Sequence, residues 1–247
     1  MRDDSLKAWE EWNDYVVSQG LDPLEKNKWF HDSKWLNIYG YPLEMDYSDI
    51  RPFPPKWFRF DNLKRNENQT AFVIPEQLRE RPGKLIYFSM GSMGGTDVKL
   101  MIRLVSILSK SKHKFIVSKG PLHEKYELPD NMWGKQFVPQ IEVLLTVDLV
   151  ITHGGNNTVT ETFSFGKPMI VLPLFADQPD NAQRIHEKGF GIRLSPYNCS
   201  EEQLLTAIER LLNDKELNEK LKKISKRIQN DKSIECLPQM IENLVDN

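Results

Sequence analysis

The chain has 247 residues, enough to bury one α/β core with a second small unit beside it. Its 33 basic and 35 acidic side chains leave a formal charge of −2. That balance excludes the basic footprint of a nucleic-acid binder, so no nucleic-acid partner is expected and any anionic ligand must be held by local geometry. The two cysteines, Cys199 and Cys236, make neither a disulfide framework nor a metal-ligand pair, and a reducing, cytoplasmic location is expected. The first residues, Met1 to Ser5, are polar and lack an apolar signal core. The longest apolar stretches, such as Pro168 to Ala176, fall far short of the ~20 residues of a spanning helix, so no transmembrane segment is expected. Sequons at Asn68, Asn156 and Asn198 read as accidental in such a chain.

Residues 1–80 are aromatic and interrupted by proline, and hold Trp9, Trp12, Trp29, Trp35 and Trp57. Leu6, Trp9, Tyr15 and Val16 form a stripe that predicts a helix from about Ser5 to Ser18, ended at Gly20. The stretch from Tyr41-Pro42 through Arg51-Pro52-Phe53-Pro54-Pro55 excludes a regular helix and a central strand, and reads as an extended linker or docking arm.

From Lys84 the pattern alternates. Leu85 to Ser89 is a compact apolar strand, followed by a loop at Gly91 to Gly95 and a helix from about Asp97 to Ser109. Strands are predicted at Phe115 to Val117 and Gln136 to Val138, then a short helix around Val143 to Leu145. The strand Leu149 to Thr152 runs into His153-Gly154-Gly155 and a helix from Thr158 to Phe165. A strand at Met169 to Leu172, a helix from about Pro179 to Lys188 and a strand at Gly191 to Leu194 complete the alternation. The tail is helical, opened by a capping box at Ser200 to Gln203, and Pro238 divides its last stretch. The fold class is therefore α/β, a Rossmann-like doubly wound parallel sheet with an aromatic, Pro-rich N-terminal arm.

Open sheets of this kind bind ligands beyond the carboxyl ends of their strands. The loop Ser89 to Thr96 is rich in small residues that let N–H groups approach a phosphate, but it has no Gly-x-Gly-x-x-Gly and no Gly-Lys-Ser/Thr. Alone it is equally a strand-to-helix turn. In His153-Gly154-Gly155-Asn156-Asn157-Thr158 two glycines precede a helix N-terminus, whose dipole and free N–H groups suit an anion. Singly, His153 reads as a strand-end histidine, and Asn157 and Thr158 as caps. With Glu161 one turn on, the combination points to a site. Asp177 caps the helix that Pro179 begins, or projects with Gln178 onto hydroxyls of a ligand. Phe137-Val138-Pro139-Gln140 offers an aromatic face and a backbone edge.

In order and spacing, these segments resemble family 1 UDP-glycosyltransferases. Their donor-binding lobe carries an aromatic-x-Pro-Gln, a His-x-Gly-x-Asn-Ser/Thr, a glutamate eight residues after that histidine, and an Asp-Gln. Here these stand at Phe137 to Gln140, His153 to Thr158, Glu161 and Asp177-Gln178. The resemblance implies the C-terminal lobe of a GT-B type glycosyltransferase over residues 81–247. Residues 1–80 would be the end of an acceptor lobe plus the interdomain linker. It implies Phe137 stacked on uracil, with Val138 and Gln140 lining the base and ribose site and Glu161 on the ribose hydroxyls. Ser92, His153, Gly155, Asn157 and Thr158 would hold the diphosphate, and Asp177 and Gln178 the sugar. Phe137 stands where the family often has tryptophan, with less stacking area. Asn156 replaces the tryptophan of plant members.

The activity so implied is hexose transfer, glucose first, from a UDP-sugar to a small lipophilic acceptor, a detoxifying conjugation. No cofactor is expected, and no metal, since the chain has no Asp-x-Asp. The family's base histidine lies in the acceptor lobe, and neither His31, His113, His123 nor His186 sits in a matching motif. The rival readings are a two-chain transferase whose partner supplies that lobe, a non-catalytic nucleotide-sugar binder, and a NAD-binding domain.

Overall fold

The computed structural model describes residues 3–26, 28–61 and 72–245. Met1, Arg2, the Asn68 sequon and residues 62–71 of the expected linker lie outside the described residues.

The N-terminal stripe forms helix α1 (Asp3–Ser18). The Pro-rich stretch is more ordered than its composition suggests. Two strands bracket it, β1 (Asn37–Gly40) and β2 (Trp57–Phe60), paired in parallel with Asn37 opposite Trp57. Between them Leu43–Met45 makes one 3-10 turn after Pro42. The prolines fall outside the ladder, where a missing N–H removes no strand bond. The short helix α2 (Glu76–Arg79) then leads into the main sheet.

That sheet is built from β3 (Leu85–Ser89), β4 (Lys114–Ser118), β5 (Met132–Lys135), β6 (Leu149–Thr152), β7 (Met169–Val171) and β8 (Gly191–Arg193). The strands are parallel in the order β5-β4-β3-β6-β7-β8. This is the doubly wound order, and it reverses between β3 and β6. Both strands are buried at every residue. They read as unbroken apolar runs because helices cover both faces of the sheet. The connecting helices are α3 (Gly91–Gly94), α4 (Val98–Leu108), α5 (Gln140–Thr146), α6 (Asn156–Ser164) and α7 (Gln178–Glu187). The tail adds α8 (Glu201–Asn213), with the Ser200–Gln203 capping box formed, then α9 (Lys215–Gln229) and α10 (Leu237–Val245).

Two expectations are corrected. Gln136 to Val138 is not a strand: the ladder pairs Phe115 with Met132 through Ser118 with Lys135, and the Gln136 carbonyl takes one last backbone bond, from the Gly120 N–H at 2.9 Å, before the chain bends away. The Gly91 to Gly95 loop is one helical turn, α3. Pro238 does divide the last stretch: it stands in the first turn of α10, just after a 3-10 turn at Ser233–Cys236, where no intrahelical N–H is needed.

The segment between β1 and β2 is fastened to α7 and α9 by charge. Arg184, only 3% exposed, donates to the carbonyls of Met45 (3.1 Å) and Asp46 and to the Asp49 carboxylate (2.5 Å). Arg227 grips Glu44 and Asp61 (2.6 and 2.8 Å), and Arg59 also pairs with Asp61 (2.6 Å). Among the described residues no helix is long and apolar enough to cross a membrane.

Candidate functional site

A cleft of about 580 Å³ opens where the strand order reverses. Ser118, Ser89 and Thr152 stand on one rung, as the register of β4, β3 and β6 dictates. Ser118 and Ser89 line the cleft, and His153 follows directly after Thr152. Of the residues singled out in the sequence, Ser92, Phe137, Val138, Gln140, His153, Gly155, Asn157, Thr158 and Asp177 all line this one cleft. Phe137 is 55% exposed because it lies beyond the end of β5, so its ring faces solvent rather than core.

His153 is wedged between glycines. A methyl on Gly91 or on Gly155 would fall 2.7 Å from imidazole atoms, and Gly91 also holds a φ of +71° that other residues avoid. Burial pushes the His153 pKa down, and the opposing pull of Asp177 and of the Ser89 backbone does not restore it. The ring is therefore neutral at pH 7, able to donate one hydrogen bond and accept another.

The N-terminus of α6 is open. Its cap residue is Gly155, which offers no side chain, so Asn157 and Thr158 are not caps but members of the first turn. The Asn156 N–H donates to the Asp177 carboxylate at 3.1 Å. The N–H groups of Asn157 and Thr158 have no partner among the described residues. Unpaired N–H groups at a helix start carry part of the roughly +0.5 dipole charge and suit an anion.

Behind the cleft wall Glu161 is buried, and its carboxylate accepts from Gln140 Nε2. A carboxylate only accepts, so the amide nitrogen must face it, which leaves Gln140 Oε1 for the Tyr87 hydroxyl at 3.1 Å. Glu161 and Gln178 do not themselves line the cleft. Gln178 is buried, its Oε1 accepting from the N–H groups of Leu174 (2.9 Å) and Phe175 (3.2 Å). Asp177 does not cap α7; its side chain reaches Asn156 and Asn181 instead. Sequence reasoning missed Tyr87, Ser118 and Asn156 as lining residues. Ser118 ends a strand and the strand-end rule could have found it, whereas Tyr87 is hidden in an apolar run. Among the described residues no group of three or more His, Cys, Asp or Glu is arranged to hold a metal ion.

The family model described as "UDP-glucoronosyl and UDP-glucosyl transferase" matches residues 79–241. The chain belongs to this family. It is 40% identical to human UDP-glucuronosyltransferase 2B7 over 96% of this chain and 44% of that protein. It is 31% identical to the Bacillus subtilis protein named uncharacterized UDP-glucosyltransferase YdhE, over 79% of this chain and 51% of the other. The chain thus spans about half the length of these curated relatives. Its fold is that of GT-B glycosyltransferases. The kitacinnamycin glycotransferase superposes with a TM-score of 0.76 at 21% identity, covering 96% of this chain and 62% of that one. Glycosyltransferase VinC, solved with DTDP, gives 0.69 at 18% identity, covering 95% and 58%. Within the UDP-glycosyltransferase fold, the cleft lies at the strand ends where nucleotides bind open sheets.

Proposed function

We propose that this chain is the donor-binding part of a UDP-glycosyltransferase that moves a hexose, glucose first, from a UDP-sugar to a small lipophilic acceptor. The observation that carries the reading is the N–H pair of Asn157 and Thr158, without a partner among the described residues, set in one cleft with the neutral His153 and the exposed Phe137 ring. Phe137 stacks on the uracil, and the α6 N-terminus, His153 and Ser92 hold the diphosphate. Ribose hydroxyls take the Glu161 carboxylate as Gln140 swings away from it. Asp177 binds the sugar, and the buried Gln178 braces the loop before it through the N–H groups of Leu174 and Phe175.

In the reaction an acceptor oxygen bonds to the anomeric carbon, the bond from that carbon to the diphosphate oxygen breaks, and the acceptor proton passes to a base. Negative charge gathers on the departing UDP, where the preorganised N–H groups stabilise it without a metal. The base is supplied from outside this chain. Among the described residues His153 is the one histidine lining the cleft, and in this reading it is engaged with the diphosphate. A lobe seated on the exposed aromatics of the arm, among them Trp29, Phe30, Trp35 and Phe53, completes the acceptor pocket.

Calorimetric titration with UDP and UDP-glucose tests the root of this reading. Saturable binding, equal in EDTA and in Mg²⁺, is expected, and NAD should not compete. Failure of UDP to bind sinks it. The isolated chain should show no turnover of UDP-glucose with a phenolic acceptor, and measurable turnover would remove the claim that the base lies elsewhere.

A further inference from the structure

The cleft is wired to the arm at the end of β1. The Gly40 carbonyl accepts from Asn156 Nδ2 at 3.1 Å. The next residue, Tyr41, donates its hydroxyl to Asn181 Oδ1 at 2.8 Å. Asn181 is buried, and its Nδ2 donates to the Gly154 carbonyl and to Asp177 Oδ2, each at 2.8 Å. That same Asp177 oxygen receives the first N–H of α6.

The direction of this chain is forced. Carboxylate and carbonyl oxygens only accept, so the Asn181 nitrogen must face Asp177 and Gly154, and its oxygen is left needing a donor. The Tyr41 hydroxyl supplies it. Burial pushes the Tyr41 pKa up, so the hydroxyl keeps its proton at any working pH. Ala176, just before Asp177, sits at φ +54°, a left-handed conformation that an alanine keeps only when its surroundings impose it. The Asp177 carboxylate is thus held by contacts on both sides.

We infer that Tyr41 is a positioning residue of the donor cleft: acting through Asn181, it fixes the Asp177 carboxylate and so couples the arm to the sugar end of the site. This rests on the reading of the cleft as a nucleotide-sugar site and deepens it. Tyr41 touches no ligand; its effect reaches the sugar through two hydrogen bonds.

The test uses Tyr41→Phe, which removes one oxygen and keeps the ring. Tyr47→Phe is the control. It deletes a similar arm-to-α7 bond, from the Tyr47 hydroxyl to the Asp180 carbonyl at 3.0 Å, that leads to no cleft residue. Wild type and both variants are titrated with UDP, UDP-glucose and UDP-glucuronic acid. Tyr41→Phe should weaken whichever UDP-sugar the wild type binds by roughly 3- to 10-fold, the loss of one neutral hydrogen bond, and leave UDP within about twofold. Tyr47→Phe should leave all three unchanged. An unchanged Tyr41→Phe, an equal loss of UDP and UDP-sugar, or the same selective loss in Tyr47→Phe overturns the inference. If the wild type binds no UDP, the reading of the cleft fails first and the inference falls with it. If the wild type binds UDP but neither UDP-sugar, the nucleotide end of the reading stands, while its sugar end and the inference fall together.

Discussion

The main sheet and the arm are held by opposite means. In the sheet, Ile86, Phe88, Val150 and Ile151 are wholly buried, and the grip is apolar contact with no preferred direction. In the arm, Trp29, Phe30, Trp35 and Ile50 remain exposed, and the segment between β1 and β2 hangs on Arg59, Arg184 and Arg227. Apolar burial sets overall stability but cannot aim a particular atom. Hydrogen bonds to guanidiniums, amides and hydroxyls can, and the arm uses them where it meets the cleft. The region that contributes less to the core therefore has more say over where Asn156, Asn181 and Asp177 point.

Truncating the sheet should give the largest effect. Phe88→Ala empties a fully buried site on β3 and should cost about 3–5 kcal/mol in urea unfolding, with the whole chain losing stability together. Loss confined to the arm would break the comparison.

The arm should respond less and differently. Burial pushes the Asp61 carboxyl up, but Arg227, Arg59 and the Leu43 N–H outweigh it and hold it below the ordinary carboxylate value. A depressed carboxyl stabilises the fold above its unfolded value of 3.8, and that contribution is lost as pH falls through the lower folded value. Asp61→Asn should cost about 1.5–3 kcal/mol, the range for charged hydrogen bonds, and flatten this acid limb. Hydrogen exchange should quicken at residues 37–61 before the strands at 85–89 and 149–152 respond. Uniform quickening would mean that arm and sheet melt as one.

The same division governs what the sequence discloses. The runs Leu85 to Ser89 and Leu149 to Thr152 announce buried strands because every residue is apolar or small, and the observed bounds match. The His153-Gly154-Gly155 turn was legible only in combination, with Asn157, Thr158 and Glu161 following it at the start of a helix, and the structure places both Gly91 and Gly155 against the ring. β1 and β2 were not legible, since four residues each are too few for alternation to show, and prolines nearby suggested irregular chain. Nor could the sequence say that Phe137 stands in the open, because that depends on β4 ending at Ser118. Side-chain direction was hidden as well. Asp177 looked like a cap for its own helix, yet reaches the start of α6, because Asn181 draws its carboxylate there.

A smaller effect separates the cleft from both regions. Burial lowers the His153 pKa below its ordinary 6.5, against the pull of Asp177. A histidine with a depressed folded value leaves stability intact above 6.5 and withdraws it as pH falls through the folded value, because the unfolded chain then binds the extra proton. Urea midpoints at pH 7 and pH 5 should therefore fall further for wild type than for His153→Gln. Parallel falls would show that this ring is not where the cleft senses acid.

The smallest effect sharpens the comparison most. Ala176 holds φ +54° beside Asp177, a conformation costing roughly 1–2 kcal/mol for a residue with a Cβ. Ala176→Gly removes that cost but gives the unfolded chain more freedom, worth about 0.4–1 kcal/mol in the other direction. The melting temperature should accordingly stay level or rise slightly. If the strain serves to aim Asp177, the freer backbone should still weaken UDP-sugar binding while UDP affinity holds. A variant that is no less stable yet binds the sugar end less well would separate aiming from stability at one residue. Unchanged binding would show that the carboxylate is placed by Asn181 and Asn156 alone, with the left-handed turn a consequence of the loop and not part of its purpose.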